Sequence, residues 1–528
     1  MGALPDWLIA LPDAETMRGI DRWAIEERGV AGLDLMERAG AGVARAVERL
    51  AGDGPVIVAC GKGNNGGDGL VVARLLRDAG RDVQVLCTSE PAEFSGDARV
   101  NLDRLPGPAP VMLGDVEWVR AAAIVDGLLG TGFEGEPRGA IAVAIDEINR
   151  TGAAVVSIDV PSGVDASTGV VNGSAVRAAL PATFHAAKPG LWIRPGKEHA
   201  GEVELIDIGI PRGAPIDIPP PSPAGADTPA GGRVRIGLIA PAVLGLMPRR
   251  DGSSTKFTSG HVLVVGGSRD LIGAPRMAAQ AAMRSGAGYV TACVPASIQG
   301  VLQGLGPAEM MTRGLPEDDG GLAVGAVDAV LAETGRGGSL ALGPGLGRSE
   351  ESFAFARELA RRVELPLVLD ADGLNAHAGH LDDLAERAGP TVLTPHAGEL
   401  GRLLAIDSSE VERERLLHAL RTAARARAVV VLKGDDTLVA DPDGRVAVSS
   451  GGSPALATAG SGDVLTGILA ALLAQGLDAF AAAAAAVQLH AQAGRQAARL
   501  QGAPEGVIAT DVVAALPQSR GFSVGAGA

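Results

Sequence analysis

At 528 residues the chain is too long for one hydrophobic core, and about two to four domains are expected. Its net charge of −16, from 46 Lys and Arg against 62 Asp and Glu, argues against nucleic acid or anionic lipid as partners. A phosphorylated small ligand remains open, because backbone dipoles hold phosphate even inside an acidic protein.

Taken from the N-terminus, the chain shows no basic region ahead of an apolar stretch, and no window reaches membrane-spanning length. A cytoplasmic protein is therefore expected. Helical patterns cover 14–28, 33–50 and 69–79, and short apolar runs predict strands over 56–59, 83–87, 122–125 and 154–158. The Pro-rich stretch 211–229, with Ile218-Pro-Pro-Pro-Ser-Pro-Ala-Gly225 inside it, can hold neither helix nor central strand. Strands follow over 261–265, 290–294, 339–342, 367–369, 391–393 and 429–432, with helices over 274–285 and 463–475. This alternation is that of βαβ units around parallel sheets. The 75 glycines follow no repeat, and Cys60, Cys87 and Cys293 show no metal-ligand spacing, so they read as small buried hydrophobes. Two different α/β domains are expected: residues 1–215, a linker over 216–232, and residues 233–528.

The first candidate site opens where the strand over 56–59 runs into Gly61-Lys-Gly-Asn-Asn-Gly-Gly-Asp-Gly69. Positive-φ glycines would let backbone approach a phosphate, with a helix starting after Gly69. Asp68 reads either as a helix cap or as an acid facing a cation. Two further strand ends deliver Asp126 and Asp159, each opening a Gly-rich segment. Strand C-termini of an open parallel sheet converge on a ligand crevice, and oxygen clusters there select hard cations.

With Asp126-Gly-Leu-Leu-Gly-Thr-Gly132, Asp159-Val-Pro-Ser-Gly-Val-Asp165, Lys188-Pro-Gly-Leu191 and Asp207-Ile-Gly-Ile-Pro211 in the same order, the first half resembles the NAD(P)H-hydrate epimerase domain. That resemblance implies a Rossmann-like three-layer αβα fold. It implies that Asn64, Asn65, Gly66, Gly67 and Asp68 hold the hydrated nucleotide, together with Gly130, Thr131, Gly132, Phe133, Glu134, Gly135 and Glu136. It also implies Asp159 beside the reacting ring as acid/base, and a potassium ion on Asn65, Asp126 and Ser162.

In the second half, Thr458-Ala-Gly-Ser-Gly-Asp463 leads into an apolar helix. Free amides of Gly460, Ser461 and Gly462 would form an anion hole at its positive end, with Asp463 at the mouth. Asp463 reads as an ordinary first-turn acid or as a general base beside developing phosphoryl charge. Lys433-Gly-Asp-Asp-Thr437 precedes a hairpin turning at Asp441-Pro-Asp-Gly444, Gly343-Pro-Gly-Leu-Gly347 ends a strand, and Thr394-Pro-His-Ala-Gly-Glu399 puts His396 at another. His377, His380, His418 and His490 have no such context.

With Gly260-His-Val-Leu-Val-Val-Gly-Gly267, Arg284-Ser-Gly-Ala-Gly288 and Leu369-Asp-Ala-Asp-Gly-Leu-Asn375, this set resembles the ribokinase-like ADP- or ATP-dependent NAD(P)H-hydrate dehydratases. The resemblance implies a ribokinase-like αβα domain. It implies hydrated substrate against Ala274, Gly345, His396 and Asp463, and adenine nucleotide on Lys433, Gly434, Asp435, Asp436, Thr437, Gly460, Ser461 and Gly462, with Mg2+ expected on the nucleotide's phosphates. The expected partners are hydrated NADH or NADPH and ADP or ATP, in a homo-oligomer. Two alternatives stay open: a ribokinase-like kinase of a vitamin precursor, and a first domain that senses nucleotide without catalysis.

Overall fold

Short β-branched runs form the strands of both sheets, and each run alternates its side chains between two helix-covered faces. In the computed structural model, which describes residues 4–118, 121–211, 213 and 234–521, the chain divides into two units. One is Ala10–Ala224; the other joins Met1–Ile9 to Gly225–Ala528. The domain limits expected from the sequence therefore differ at the N-terminus, where the first strand, β1 (Leu8–Ala10), belongs to the sheet of the larger unit. The Pro-rich linker lies almost wholly outside the described residues.

The smaller unit is built on β2 (Val56–Cys60), β3 (Val83–Cys87), β4 (Ala123–Gly127), β5 (Ala154–Ile158), β6 (Leu180–Phe184) and β7 (Glu204–Ile206). All pair in parallel in the order β3-β2-β4-β5-β6-β7. Period-two alternation sends Val56, Val58 and Cys60 into one core with helices Gly32–Leu50 and Asn64–Asp78. Ile57 and Ala59 enter the other core, under helix Gly139–Thr151. Helix on both faces makes the three-layer, Rossmann-like arrangement.

The larger unit contains β8 (Arg235–Ile239), β9 (His261–Val265), β10 (Tyr289–Pro295), β11 (Met311–Leu315), β14 (Ser339–Leu342), β15 (Leu367–Leu369), β16 (Thr391–Leu393), β17 (Val429–Leu432), β18 (Leu438–Ala440) and β19 (Arg445–Val448), besides a separate hairpin of β12 (Glu317–Asp318) and β13 (Gly321–Leu322). The eleven-stranded sheet runs β1-β8-β19-β18-β17-β16-β15-β14-β9-β10-β11. Strands β17 to β11 are parallel neighbours, and the hairpin β18–β19 at Asp441–Gly444 is antiparallel. Val262 and Val264 face helices Gly273–Arg284 and Ser461–Ala474, whose small residues allow a close crossing. An alanine Cβ at Gly467 would lie 2.1 Å from Ala278 O. β1 closes the edge beside β8: the Trp7 ring meets that of Phe480 at 5.7 Å with a tilt of 41°, and the Trp7 carbonyl accepts from Ala240 N at 3.0 Å.

All three cysteines are buried and unpaired, as their setting in strands β2, β3 and β10 implies. No helix among the described residues is long and apolar enough to cross a membrane.

Candidate active sites

The glycine-rich segment after β2 is not the loop of left-handed glycines expected from the sequence. Helix Asn64–Asp78 begins at Asn64 rather than after Gly69, and none of Gly61, Gly63, Gly66, Gly67 and Gly69 has positive φ. Glycine is required by proximity instead: a Cβ at Gly66 would sit 1.7 Å from Gly61 O, and one at Gly69 would sit 2.9 Å from Cys60 Sγ. Asp68 is not the helix cap either. The cap position is Gly63, and Asp68 lies buried in the second turn, where burial, and then the charges of Asp159 and Asp21, push its pKa well up.

β4 includes Asp126, whose carboxylate is fully buried. Its Oδ2 accepts from Ser157 Oγ at 2.8 Å and Ser162 N at 2.9 Å, and its Oδ1 from Ser162 Oγ at 2.5 Å. Burial raises its pKa, and the donors from Ser162 and Ser157 oppose that rise. Asn65 Nδ2 donates to Leu129 O at 2.8 Å, and Leu129 N donates to Ser162 Oγ at 2.9 Å. The Leu129 peptide thus joins Asn65, Asp126 and Ser162 in one oxygen-rich cluster. Gly130 fits against it, since a Cβ there would lie 3.1 Å from Asn65 Oδ1. Thr131, Phe133, Glu134 and Glu136 continue as a partly open rim, turned by Phe133 N on Gly130 O at 3.0 Å and by Gly135 at φ 89°.

Asp159 follows β5 with φ 65°, a strained value for a residue with a side chain. Thr183 Oγ1 at 2.9 Å, Phe184 N at 3.2 Å and Lys188 Nζ all donate to its Oδ1. All three of these donors meet the same oxygen, Oδ1, and none of them meets Oδ2. Lys188 is itself buried, with Nζ also on Phe184 O at 2.9 Å. Asp21, from helix Ala14–Arg22, completes the group: burial lifts its pKa to about 6, with Lys188 lowering and Asp159 raising it. Sequence reasoning gave no role to Asp21, Thr183 or Lys188. Lys188 stood in a recognisable segment; Asp21 sits in an amphipathic helix with nothing to mark it.

In the larger unit Asp463 stands in the first turn of helix Ser461–Ala474, capped by Gly460 at φ 87°. Burial, and then the charge of Asp370, lift its pKa to about 7, while Lys433 acts in the opposite direction. Asp370, at the end of β15, was missed as a site residue although its segment was conspicuous. It is the hub of the cluster: Lys433 Nζ at 2.9 Å and Thr394 Oγ1 at 2.8 Å meet its Oδ1, and Thr466 Oγ1 at 2.7 Å meets its Oδ2. Lys433 also lies 3.5 Å from Glu399 and points at the helix start, where a Cβ on Gly462 would be 3.6 Å from its Nζ.

His396 caps helix Ala397–Leu404 through Nδ1, which accepts from Gly398 N at 3.0 Å and Glu399 N at 3.3 Å. Burial depresses its pKa, leaving a neutral ring with its proton on Nε2. Ala274 and Gly345 do meet: a Cβ at Gly345, whose φ is 67°, would touch Ala274 Cβ at 3.2 Å.

Two details of the anion hole differ from expectation. Ser461 N already donates to Thr458 O at 3.3 Å, so among the described residues the open amides are those of Gly460, Gly462 and Asp463. His490, expected to be ordinary, is buried with Nε2 3.2 Å from Ser461 Oγ, and burial lowers its pKa to about 4. Within the Lys433–Thr437 segment, Asp436 is turned inward. Its fully buried side chain pairs with the equally buried Arg415 at 2.9 Å, so it offers no side-chain contact to a nucleotide. Asp435 accepts from Gly452 N at 3.1 Å, and Thr437 Oγ1 donates to Gly434 O at 2.6 Å, fixing the loop that presents Lys433.

Comparison with known proteins assigns both halves. Residues 32–190 match the family model described as the YjeF-related protein N-terminus, and residues 262–518 match that of NAD(P)H-hydrate dehydratase. The bifunctional NAD(P)H-hydrate repair enzyme of Moorella thermoacetica is 40% identical over 96% of this chain and 96% of its own length. That of Salinibacter ruber is 42% identical over 97% and 96%. Among solved structures, the ADP/ATP-dependent NAD(P)H-hydrate dehydratase of Bacillus subtilis, co-crystallised with ATP and Mg2+, is 28% identical, covering 53% of this chain and 96% of its own, with a TM-score of 0.46. With both family models matched and two relatives aligned nearly end to end, the chain belongs to the bifunctional NAD(P)H-hydrate repair enzymes.

Proposed function

We propose that this protein restores hydrated NADH and NADPH: the smaller unit interconverts the R and S hydrates, and the larger unit dehydrates the S form using ADP or ATP. The observation that carries the reading is Asp463. It is a carboxylate with a pKa lifted to about 7, set beside open helix amides and the Lys433 ammonium. A group half-ionised at neutral pH is matched to accepting a proton from an alcohol while anionic charge develops next to it.

The hydrate carries a hydroxyl on carbon 6 of the nicotinamide ring, and hydroxide leaves poorly. Asp463 takes the hydroxyl proton, and the oxygen bonds to the terminal phosphorus of the nucleotide as the bridging P–O bond breaks. The Gly462 and Asp463 amides and Lys433 offset the charge of the phosphoryl group in flight. The ring nitrogen lone pair then expels phosphate, and loss of a proton from carbon 5 restores the double bond. His396, neutral with Nε2 protonated, supplies a hydrogen-bond donor at the substrate side. The nucleotide enters as its Mg2+ complex, the form that phosphoryl transfer requires.

In the smaller unit Asp159 is the acid/base, with Lys188 and Thr183 fixing one oxygen and Oδ2 facing the ring. Asp126 is a buried carboxylate that pairs with no Lys, Arg or His among the described residues; the Ser157 and Ser162 hydroxyls meet it, and Asn65 Nδ2 and Ser162 Oγ meet the Leu129 carbonyl beside it. This set fits a large monovalent cation such as potassium on Asn65, Asp126 and Ser162. Such an ion would neutralise Asp126 and supply positive charge for the substrate's phosphates.

Incubating separated R and S hydrates with ADP, and then with ATP, while following dihydronicotinamide absorbance and free phosphate tests both assignments. Recovery of the S form with one phosphate released per ring, and of the R form at a slower rate, is expected. A stable phosphorylated product would replace the reading with a kinase.

A further inference from the structure

Helix Ser461–Ala474 presents Asp463 at one end and Gln475 at the other, about 20 Å away at the rise of an α-helix. Gln475 lines a cavity of about 520 Å3 whose walls carry Arg249, Arg250, Arg284 and Arg520, and no carboxylate. Such a concentration of like charge is unexpected in a chain of net charge −16.

Two of the four arginines have a structural explanation. Arg250 donates to Gly286 O at 3.1 Å and Arg520 to Ser285 O at 2.7 Å, covering carbonyls at the C-terminal end of helix Gly273–Arg284. Arg249 and Arg284 have none: both are exposed, with no hydrogen bond or ion pair among the described residues. The cluster strains itself electrostatically, since burial and then the charges of Arg249 and Arg250 hold Arg520 below its usual pKa. An adjoining cavity of about 450 Å3 shares Met283 and Arg284 and adds Arg276, whose Nε is buried without an acceptor, together with Glu309.

We propose that this arginine-lined groove binds a small molecule bearing two or more phosphate groups, at a site separate from the Asp463 cleft. Guanidinium forks match phosphate oxygens two at a time, which a single inorganic phosphate would leave half used. The Met283 wall and the volume admit a nucleotide-sized body. An extended polyanion is disfavoured by the chain's net charge of −16. The site sits at the far ends of the two helices whose near ends carry Ala274 and Asp463, so its occupant touches elements that shape the catalytic cleft. Binding here requires no turnover and stands whether or not the catalytic assignment does.

The test is calorimetric titration of the full-length protein with inorganic tripolyphosphate, comparing parent, R249Q/R284Q and R361Q/R425Q. The last pair removes equal charge from exposed arginines that are paired with Glu358 and Asp382. R249Q/R284Q is expected to lose one equivalent of binding, or to weaken it by about tenfold or more, with its melting temperature and ADP-driven turnover unchanged. The control is expected to match the parent. Equal stoichiometry and affinity in R249Q/R284Q would overturn the proposal, as would an equal loss in R361Q/R425Q. A change in sedimentation of R249Q/R284Q without altered anion binding would assign the groove to a second copy of the chain and overturn it too.

Discussion

Replacing Asp463 by Asn should stabilise the larger unit while disabling its chemistry, and the size of the gain can be worked from the site. The carboxyl group's ordinary pKa of 3.8 is lifted to about 7, chiefly by burial. Each unit is worth about 1.4 kcal/mol, so ionised Asp463 costs the fold about 4 kcal/mol at most. For a folded pKa raised above the unfolded one, the cost is absent below pH 3.8, grows as the pH rises from there to about 7, and is constant above. A neutral carboxamide in the same place carries no such penalty. For a unit of about 300 residues, 4 kcal/mol corresponds to about 6 °C in melting temperature. Scanning calorimetry of parent and D463N from pH 4 to 8 should show the variant's advantage widening by several degrees up to pH 7 and then levelling. Dehydration should fall at least about 100-fold in D463N, and in the parent it should rise with pH through about 7. A melting difference that stays flat across this range would mean that burial does not lift the pKa of Asp463, and its role as a base poised at neutral pH would fall with it.

Asp159→Asn should lower epimerisation by about 100-fold or more and leave ADP-dependent recovery of the S hydrate at parental rate, measured on separated epimers. Gly66→Ala should destabilise the smaller unit by about 3 kcal/mol or more, because its Cβ would meet Gly61 O at 1.7 Å; a lowered denaturation midpoint of the isolated residues 10–224 or loss of epimerase activity with dehydratase activity retained checks it. Asp436→Ala should cost the larger unit about 3 kcal/mol by leaving the buried Arg415 charge with only the half-exposed Glu412 as acidic partner among the described residues, whereas Arg415→Met with Asp436→Leu should recover most of that loss in denaturant titrations.

The fold was legible at most strands buried on both faces, although β6, buried but interrupted by Pro181, was missed. β3, β5, β9 and β14 to β17 are largely apolar runs with at most one polar residue each, and their limits read from the sequence coincide with those observed. The short or half-exposed strands β1, β7 and β11 carry no comparable pattern and were missed. The helix after β2 was placed five residues late because Asn64-Asn-Gly-Gly-Asp68 has poor helix propensity. Tight packing against Gly61 and Cys60 overrides that propensity, and only the three-dimensional arrangement reveals it. Candidate residues announced by Gly-rich segments, such as Asp126, Asp159 and Asp463, stood out in the sequence, and each stands in a buried or half-buried polar cluster. Those that act by bringing charge from elsewhere in the sequence did not stand out: Asp370 meets Thr466 across 96 positions, and Asp21 feels Lys188 from a helix with no motif.

The placement of β1 bears on how the protein is made. Residues 8–10 leave the ribosome ahead of the smaller unit, yet their neighbour β8 spans Arg235–Ile239 and is synthesised only after that whole unit. Trp7 and Leu8, buried in the finished protein, must wait through that interval with their apolar surfaces in water. A gene split at the Pro-rich stretch would separate this strand from its sheet, so a dehydratase half expressed alone would present the bare edge of β8 for unintended pairing.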